Sequence, residues 1–239
     1  MVIVGIESST SKLGVGILRD GEMIAISTLY APRRHVESII PLLRNLLEAS
    51  ELQKSDIELI ALDVGPGLFT GLRVGVVTAK TLAAALKIKI VPVNSLEAMA
   101  SQFVASQAPL LDKARKKFHQ HAIVPVIDGR RGEIYHAGYS SDMRETLWEQ
   151  EVSKPELLLN KVSGLDVAYV FGSGYEKYKE ELNNGFISSE SFPLQPSVET
   201  LCQIAYAGAI EPLEPRYIAP LYLRPPDTAI GWSSRASKH

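Results

Sequence analysis

The feature that most constrains the fold of this chain is a series of strands that occurs twice. The apolar run 2–6 ends in Glu7 and leads through a polar turn into two further β-rich segments. An equivalent series begins at 123–127 and ends its first strand in Asp128. The two carboxylates lie about half the chain apart, which predicts a tandem duplication of one α/β unit. Chance similarity between two β-hairpins is the alternative explanation.

The composition is that of an ordinary globular chain, with 46% hydrophobic and 22% charged residues. The formal net charge of -2 provides no positive field that would attract nucleic acid. We interpret the basic run 113–121 as a solvated surface, although it offers a local patch for RNA phosphates. We find no leader sequence and no run of the ~18 apolar residues that a membrane helix requires. We therefore expect a cytoplasmic protein that does not enter the membrane.

The pattern divides the chain into two halves and a tail. Residues 1–98 are predicted to form an N-terminal α/β half with dimerisation helices, and residues 99–226 a C-terminal α/β half. Ser197 fits the N-cap position of the final helix, 197–211, which could pack back on the first half. Cys202, within that helix, is expected to be a buried, unreactive thiol. Residues 227–239 are expected to be a flexible tail.

Two helices of the first half are the candidates for a partner interface. The predicted helix 34–50 carries an apolar stripe roughly 120° wide, and Pro41 inside it predicts either a kink or two short helices. The predicted helix 72–86 carries small residues that permit close approach of another helix. The alternative is that both helices only cover their own sheet. The predicted interface residues are His35, Val36, Ile39, Leu42, Leu43, Leu46, Gly75, Val76, Ala79 and Ala83.

A glycine-rich loop, 65–75, joins a buried strand to the second of these helices. Glycine allows close backbone approach, and the start of a helix offers free N–H groups to an anion. The loop lacks both the Gly-Lys-Ser/Thr end of a Walker loop and the spacing of a dinucleotide fingerprint. Phosphate binding and a purely structural turn therefore both stay open. The residues that would face a nucleotide are Glu7, Ser8, Thr10, Gly65, Gly67, Thr70, Gly71, Arg73 and Asp128.

Five ordered segments resemble the motifs of one family. The loop 65–75 resembles the signature loop of the TsaB (YeaZ) family, and 6–10 resembles that family's first strand and turn. Segments 35–42, 128–135 and 220–224 are similar to its first helix, its second-half hairpin and its C-terminal motif. The similarity extends from residue 2 to about residue 226. Two positions depart from the family pattern, because Glu7 stands where Asp is usual and Leu68 where Ser is usual.

The resemblance implies a fold and a set of partners. The fold would be α/β, with two tandem actin/sugar-kinase-like (RNase H-like) halves of mixed sheets flanked by helices. The chain would serve in the complex that makes threonylcarbamoyladenosine in tRNA. Its implied partners are a TsaD-like catalytic paralogue and a TsaE-like ATPase, with a homodimer when alone and tRNA contacted only through the complex.

The same resemblance raises the question of whether this chain is itself catalytic. The paralogue TsaD carries Asn-His-x-x-x-His after the corresponding strand, and its two histidines bind metal. Here the matching stretch is 94–99, in which Ser95 and Met99 stand at the histidine positions. Neither residue type replaces imidazole as a ligand for such a cation. We therefore expect a non-catalytic scaffold with no catalytic residue, metal or cofactor. The alternatives are a carbamoyltransferase, a small-molecule kinase or an ATP-binding switch of the same superfamily.

Overall fold

The computed structural model describes residues 1–30, 35–182, 186–188 and 191–224. The predicted tail, 227–239, and position 34, where the first predicted helix begins, lie outside the described residues. Within them the chain forms two α/β units in sequence, each built on its own mixed sheet.

The first sheet has five strands in the order β3-β2-β1-β4-β5. Strand β1 pairs antiparallel with β2 and parallel with β4. Asp20 and Gly21 both adopt positive φ, which gives β2 and β3 a tight hairpin turn. The strands are β1 (Val2–Glu7), β2 (Lys12–Arg19), β3 (Glu22–Tyr30), β4 (Leu59–Gly65) and β5 (Lys89–Asn94).

The second sheet has four strands in the order β8-β7-β6-β9. This order repeats β3-β2-β1-β4 of the first sheet strand for strand, and β6 again pairs antiparallel with the next strand and parallel with the last. The two tandem α/β halves expected from the sequence are therefore present. The strands are β6 (His121–Arg130), β7 (Glu133–Tyr139), β8 (Thr146–Ser153) and β9 (Val167–Phe171).

Seven α-helices are described across these ranges, and two of them cover the outer face of the first sheet. They are α1 (His35–Ala49), α2 (Phe69–Leu86), α3 (Ser95–Ser106), α4 (Ala108–Lys117), α5 (Pro155–Val162), α6 (Ser173–Lys177) and α7 (Val198–Ala207). Helices α1 and α2 pack on the outer face with the alternate side chains Val2, Val4 and Ile6 of β1. Pro41 lies inside α1, which is one continuous helix rather than two.

Helix α7 packs on the opposite, inner face of the first sheet. Ser197 accepts a hydrogen bond from the Thr200 N–H at 3.1 Å, so the predicted N-cap is confirmed. A Cβ at Gly5 would lie 2.6 Å from Cys202 Sγ, and one at Gly14 would lie 3.2 Å from Val198. Glycine at these two strand positions therefore lets α7 approach the sheet closely. The Cys202 thiol is buried, as expected.

One expectation about the membrane needs correction. Helix α2 is long and apolar enough to cross a bilayer by length and composition. Its inward side chains, among them Val76 and Ala79, pack against the first sheet. Core helices of globular domains pass the same test, so we read α2 as a layer of the first half.

Candidate functional site

Two buried carboxyl groups meet at the carboxyl ends of the parallel strands β1 and β4. Glu7 ends β1, and its Oε1 accepts hydrogen bonds from Ser9 N at 2.8 Å and Ser9 Oγ at 2.7 Å. Asp63 lies on β4, and its Oδ1 accepts from Gly65 N at 2.7 Å and Ser95 Oγ at 2.6 Å. Asp63 Oδ2 is buried without a hydrogen-bond partner among the described residues.

Burial and proximity shift the titration of this pair. Burial, and then the charge of Asp63, raises the pKa of Glu7 to about 8. Burial raises the pKa of Asp63 to about 6. At neutral pH the two carboxyl groups together therefore keep one proton. The sequence indicated Glu7 but not Asp63, whose one signal is a carboxylate inside an otherwise apolar strand.

The glycine loop packs against the turn that follows β1. A Cβ at Gly67 would overlap Ser9 O, and a Cβ at Gly71 would overlap Ser8 O. The Ser8 hydroxyl donates to Gly71 O at 3.0 Å, and Leu68 N donates to Ser9 O at 2.6 Å. The lack of a side chain at Gly67 and Gly71 therefore makes room for the backbone of the β1 turn. Of the two interpretations left open by the sequence, these contacts favour the structural turn.

Three further residues from the predicted nucleotide set lie close to the C-terminal segment or at the surface. Gly65 has φ +108°, and a Cβ there would lie 3.1 Å from Leu221 O. Arg73 places its guanidinium 3.8 Å from the centroid of the Phe69 ring, and its Nε donates to Tyr222 Oη at 2.9 Å. Thr70 is exposed. Gly65 and Arg73 thus serve to dock the segment 220–224 against the start of α2.

Asp128 of the second half lies opposite the β1 turn across a small cleft. Both of its carboxylate oxygens accept from Lys177 Nζ at 2.9 Å, and Oδ1 also accepts from Arg130 N. The cleft measures about 120 Å³, below the roughly 300 Å³ at which ligand pockets begin. Thr10 Oγ1 lies 3.4 Å from Gln195 Oε1, which bridges the two sides of the cleft.

The two positions that correspond to the metal-binding histidines of TsaD hold side chains that pack in the interior. Ser95 is fully buried and donates to Asp63, and Met99 is fully buried in the core of the second half. Among the described residues, no three His, Cys, Asp or Glu side chains group closely enough to hold a metal ion.

Most of the predicted interface residues face the interior of their own subunit, and this part of the prediction is wrong. They are covered by the first sheet or the β1 turn: His35, Ile39, Leu43, Gly75, Val76, Ala79 and Ala83. A Cβ at Gly75 would overlap Ser8 Oγ. His35, expected at the surface, is 6% exposed and lies with Nε2 3.1 Å from Thr10 O. Leu42 and Leu46 are half-buried, and Val36 is 71% exposed.

Comparison with known proteins identifies the family. Residues 28–194 match the family model described as "TsaD: tRNA N6-adenosine threonylcarbamoyltransferase". The chain is 29% identical over 231 residues to "tRNA threonylcarbamoyladenosine biosynthesis protein TsaB" of Escherichia coli strain K12, covering 91% of this chain and 94% of that protein. The TsaB of Bacillus subtilis strain 168 is 33% identical over 159 residues, or 66% of this chain and 63% of that protein. The chain belongs to the TsaB (YeaZ) branch of the TsaD family.

A solved structure agrees with this assignment to TsaB. "YeaZ from Pseudomonas aeruginosa" superposes with a TM-score of 0.75 at 25% identity, covering 93% of this chain and 99% of that one. The expected actin/sugar-kinase-like α/β fold is therefore confirmed. The names of the relatives give this TsaB chain a role in tRNA threonylcarbamoyladenosine biosynthesis.

Proposed function

We propose that this TsaB protein is a non-catalytic scaffold subunit that pairs with a TsaD-like catalytic paralogue through the outer face of α1 and α2. The observation that carries the proposal is an exposed apolar patch on those helices. Val36 is 71% exposed, Ile40 46% and Val77 63%. Water-exposed aliphatic side chains grouped on one face are typical of a protein interface.

The interior of the chain supports the non-catalytic part of the proposal. Ser95 is engaged by Asp63, and Met99 fills the core of the second half. The glycine loop packs against the β1 turn, and the cleft between that turn and Asp128 is smaller than ligand pockets usually are. Ser95, Met99 and the glycine loop, the positions that resemble those of a transferase or kinase site, are therefore engaged in packing.

The wider assembly is part of the same proposal. The chain would form a homodimer through the same patch when alone, work in the cytoplasm beside a TsaE-like ATPase, and meet tRNA only through the complex. Its net charge of -2 is consistent with tRNA binding that depends on partners.

The patch can be tested without disturbing the core. We would change Val36→Glu and Val77→Glu separately, because both side chains are exposed in the free subunit. A buried valine contributes roughly 1.5–3 kcal/mol, and a carboxylate desolvated without a partner adds to the cost. We expect each change to weaken binding to the TsaD paralogue of the same organism by about 100-fold or more.

The matched control is Leu157→Glu, a change at a leucine that is 53% exposed on α5 of the second half. Sedimentation velocity or titration calorimetry would measure assembly, and circular dichroism would confirm folding. If both patch variants bind the paralogue as tightly as the control, the partner surface lies elsewhere. Threonylcarbamoyl transfer by the purified chain alone would overturn the non-catalytic assignment.

A further inference from the structure

A second, larger cavity lies on the inner face of the first sheet and is separate from the partner patch. It measures about 470 Å³, within the range of small-molecule sites. Its walls come from β1, β2 and β3, from α3, from the segment that leads into α7, and from the first residues of α7, Val198 and Glu199. The lining residues used below are Glu7, Lys12, Gly14, Ile26, Gln102 and Leu194.

The sheet register places three of the lining residues side by side. Glu7 pairs with Gly14, and Gly14 pairs with Thr28, so the three residues form one row across three strands. Val198, at the start of α7, lies over Gly14, where a Cβ would be 3.2 Å away. Gly14, Val198 and Leu194, from the segment before α7, all line the cavity.

Two polar side chains that line the cavity, Gln102 and Lys12, have groups without a partner among the described residues. Gln102 Oε1 is buried and accepts no hydrogen bond from the described residues, and such an unmet buried acceptor is costly. Glu7 is 3% exposed at the floor of the cavity. Lys12 also lines the cavity, and its ammonium group makes no ion pair or hydrogen bond among the described residues. The cavity thus presents oxygen atoms for an N–H group and a cation for an anion.

One wall of the cavity is apolar, which adds a third requirement for a ligand. Ile26 is 46% exposed and Leu194 49% exposed, and both line this same cavity. Covering such side chains removes apolar surface from water and is favourable. A ligand that suits the cavity therefore carries an aliphatic or aromatic group together with its charged ends.

We propose that this cavity binds a small α-amino acid with an apolar side chain. Its amino group is held by Gln102 Oε1 and Glu7, its carboxylate by Lys12, and its side chain against Ile26 and Leu194. An ammonium group beside Glu7 favours the carboxylate form, so binding at neutral pH releases a proton from Glu7. The site is independent of the pairing surface on α1 and α2, because it lies on the other face of the sheet.

The test uses the full chain with L-leucine and L-phenylalanine as probes. Titration calorimetry and amide chemical-shift changes should show saturable binding of at least one of them. Leucinamide, which lacks the carboxylate, and isocaproate, which lacks the amino group, should bind about tenfold or more weakly than leucine. Calorimetry in two buffers of different ionisation enthalpy should reveal the released proton, which Glu7→Gln should abolish.

Variants decide whether any binding occurs in this cavity. Gln102→Met keeps the shape of the side chain and removes the acceptor, and Lys12→Met removes the cation. Each should weaken binding by about tenfold or more, while Lys89→Met, a change at an exposed lysine on β5, should leave it unchanged. Absence of saturable binding by both amino acids overturns the proposal. So does binding that neither Gln102→Met nor Lys12→Met weakens.

Discussion

Replacing Glu7 with glutamine tests the description of the buried carboxyl pair most directly. Glutamine keeps an oxygen that can accept from Ser9 N and Ser9 Oγ but carries no titratable proton. In the folded protein the pKa of Glu7 is raised to about 8 from its ordinary 4.5, by burial and by the charge of Asp63. The stability that the neutral acid provides is therefore complete below about pH 4.5 and is lost as the pH rises through about 8.

The size of the effect follows from the shift in pKa. One pKa unit corresponds to about 1.4 kcal/mol, so the full rise costs the wild-type fold roughly 5 kcal/mol once Glu7 is ionised in both states. Between about pH 5.5 and 7.5 the wild-type protein should lose roughly 3 kcal/mol that the Glu7→Gln variant keeps. For a domain of this size that is a relative change in Tm of roughly 5–10 °C.

The assay is thermal and urea unfolding of both proteins at several pH values across this window. The difference between them reports the titration of the Glu7–Asp63 pair, because groups outside the pair contribute equally to both curves. Glu22→Gln, at an exposed position of β3, is the matched control and should follow the wild type at every pH. A stability difference between Glu7→Gln and wild type that is the same at both ends of the window would refute the raised pKa of Glu7.

Three further predictions concern other buried groups. Gly71→Ala should cost about 1–3 kcal/mol in urea unfolding, because the new Cβ overlaps Ser8 O, whereas Gly164→Ala, with nothing within 4 Å of its Cβ, should be near neutral. Burial raises the pKa of Cys202 to about 12, so the thiol should react with a disulfide reagent only at the rate of unfolding. Burial lowers the pKa of His136 to about 4, so its imidazole NMR signals should stay those of the neutral ring at pH 5.5, and its stabilising effect should be lost as the pH falls from about 6.5 to 4.

The strand pattern could be predicted from the sequence because it depends on local information. The runs 2–6 and 123–127 were expected as strands and lie within β1 (Val2–Glu7) and β6 (His121–Arg130). Ser197 was recognisable as an N-cap because its hydrogen-bond partner, Thr200 N, lies three residues away. Strands, turns and caps of this kind depend on neighbours in the chain.

The orientation of the first helix could not be predicted in the same way. Apolar residues occupy both sides of α1, with Ile39 and Leu43 turned to the sheet and Val36 and Ile40 turned outward. A wide stripe predicts contacts on more than one side of the helix, but it does not say which side meets the protein's own core. The sequence interpretation assigned the inward residues to the partner as well as the outward ones.

The glycine loop and the buried carboxyl pair depend on contacts between distant parts of the chain. Gly67 and Gly71 are small because the turn at Ser8 and Ser9 lies against them, and no local pattern distinguishes that contact from a phosphate. In the sequence Asp63 is an isolated carboxylate within a strand, and only the structure shows that β4 lies beside β1. Only the parallel pairing of those strands brings Asp63 to Glu7.

The attachment of the C-terminal segment explains why the proposed partner surface should be rigid before binding. Leu221 N donates to Val64 O at 2.7 Å, and Lys80 Nζ donates to Ile218 O at 2.8 Å. Arg73 adds its contact with Tyr222, so α2 is fixed along much of its length from a region distant in sequence. A surface that is already ordered loses less conformational entropy on association. The chain can therefore devote the outer face of α2, with Val77, to pairing, since the stability of that helix comes from its inner face and from the segment that crosses it.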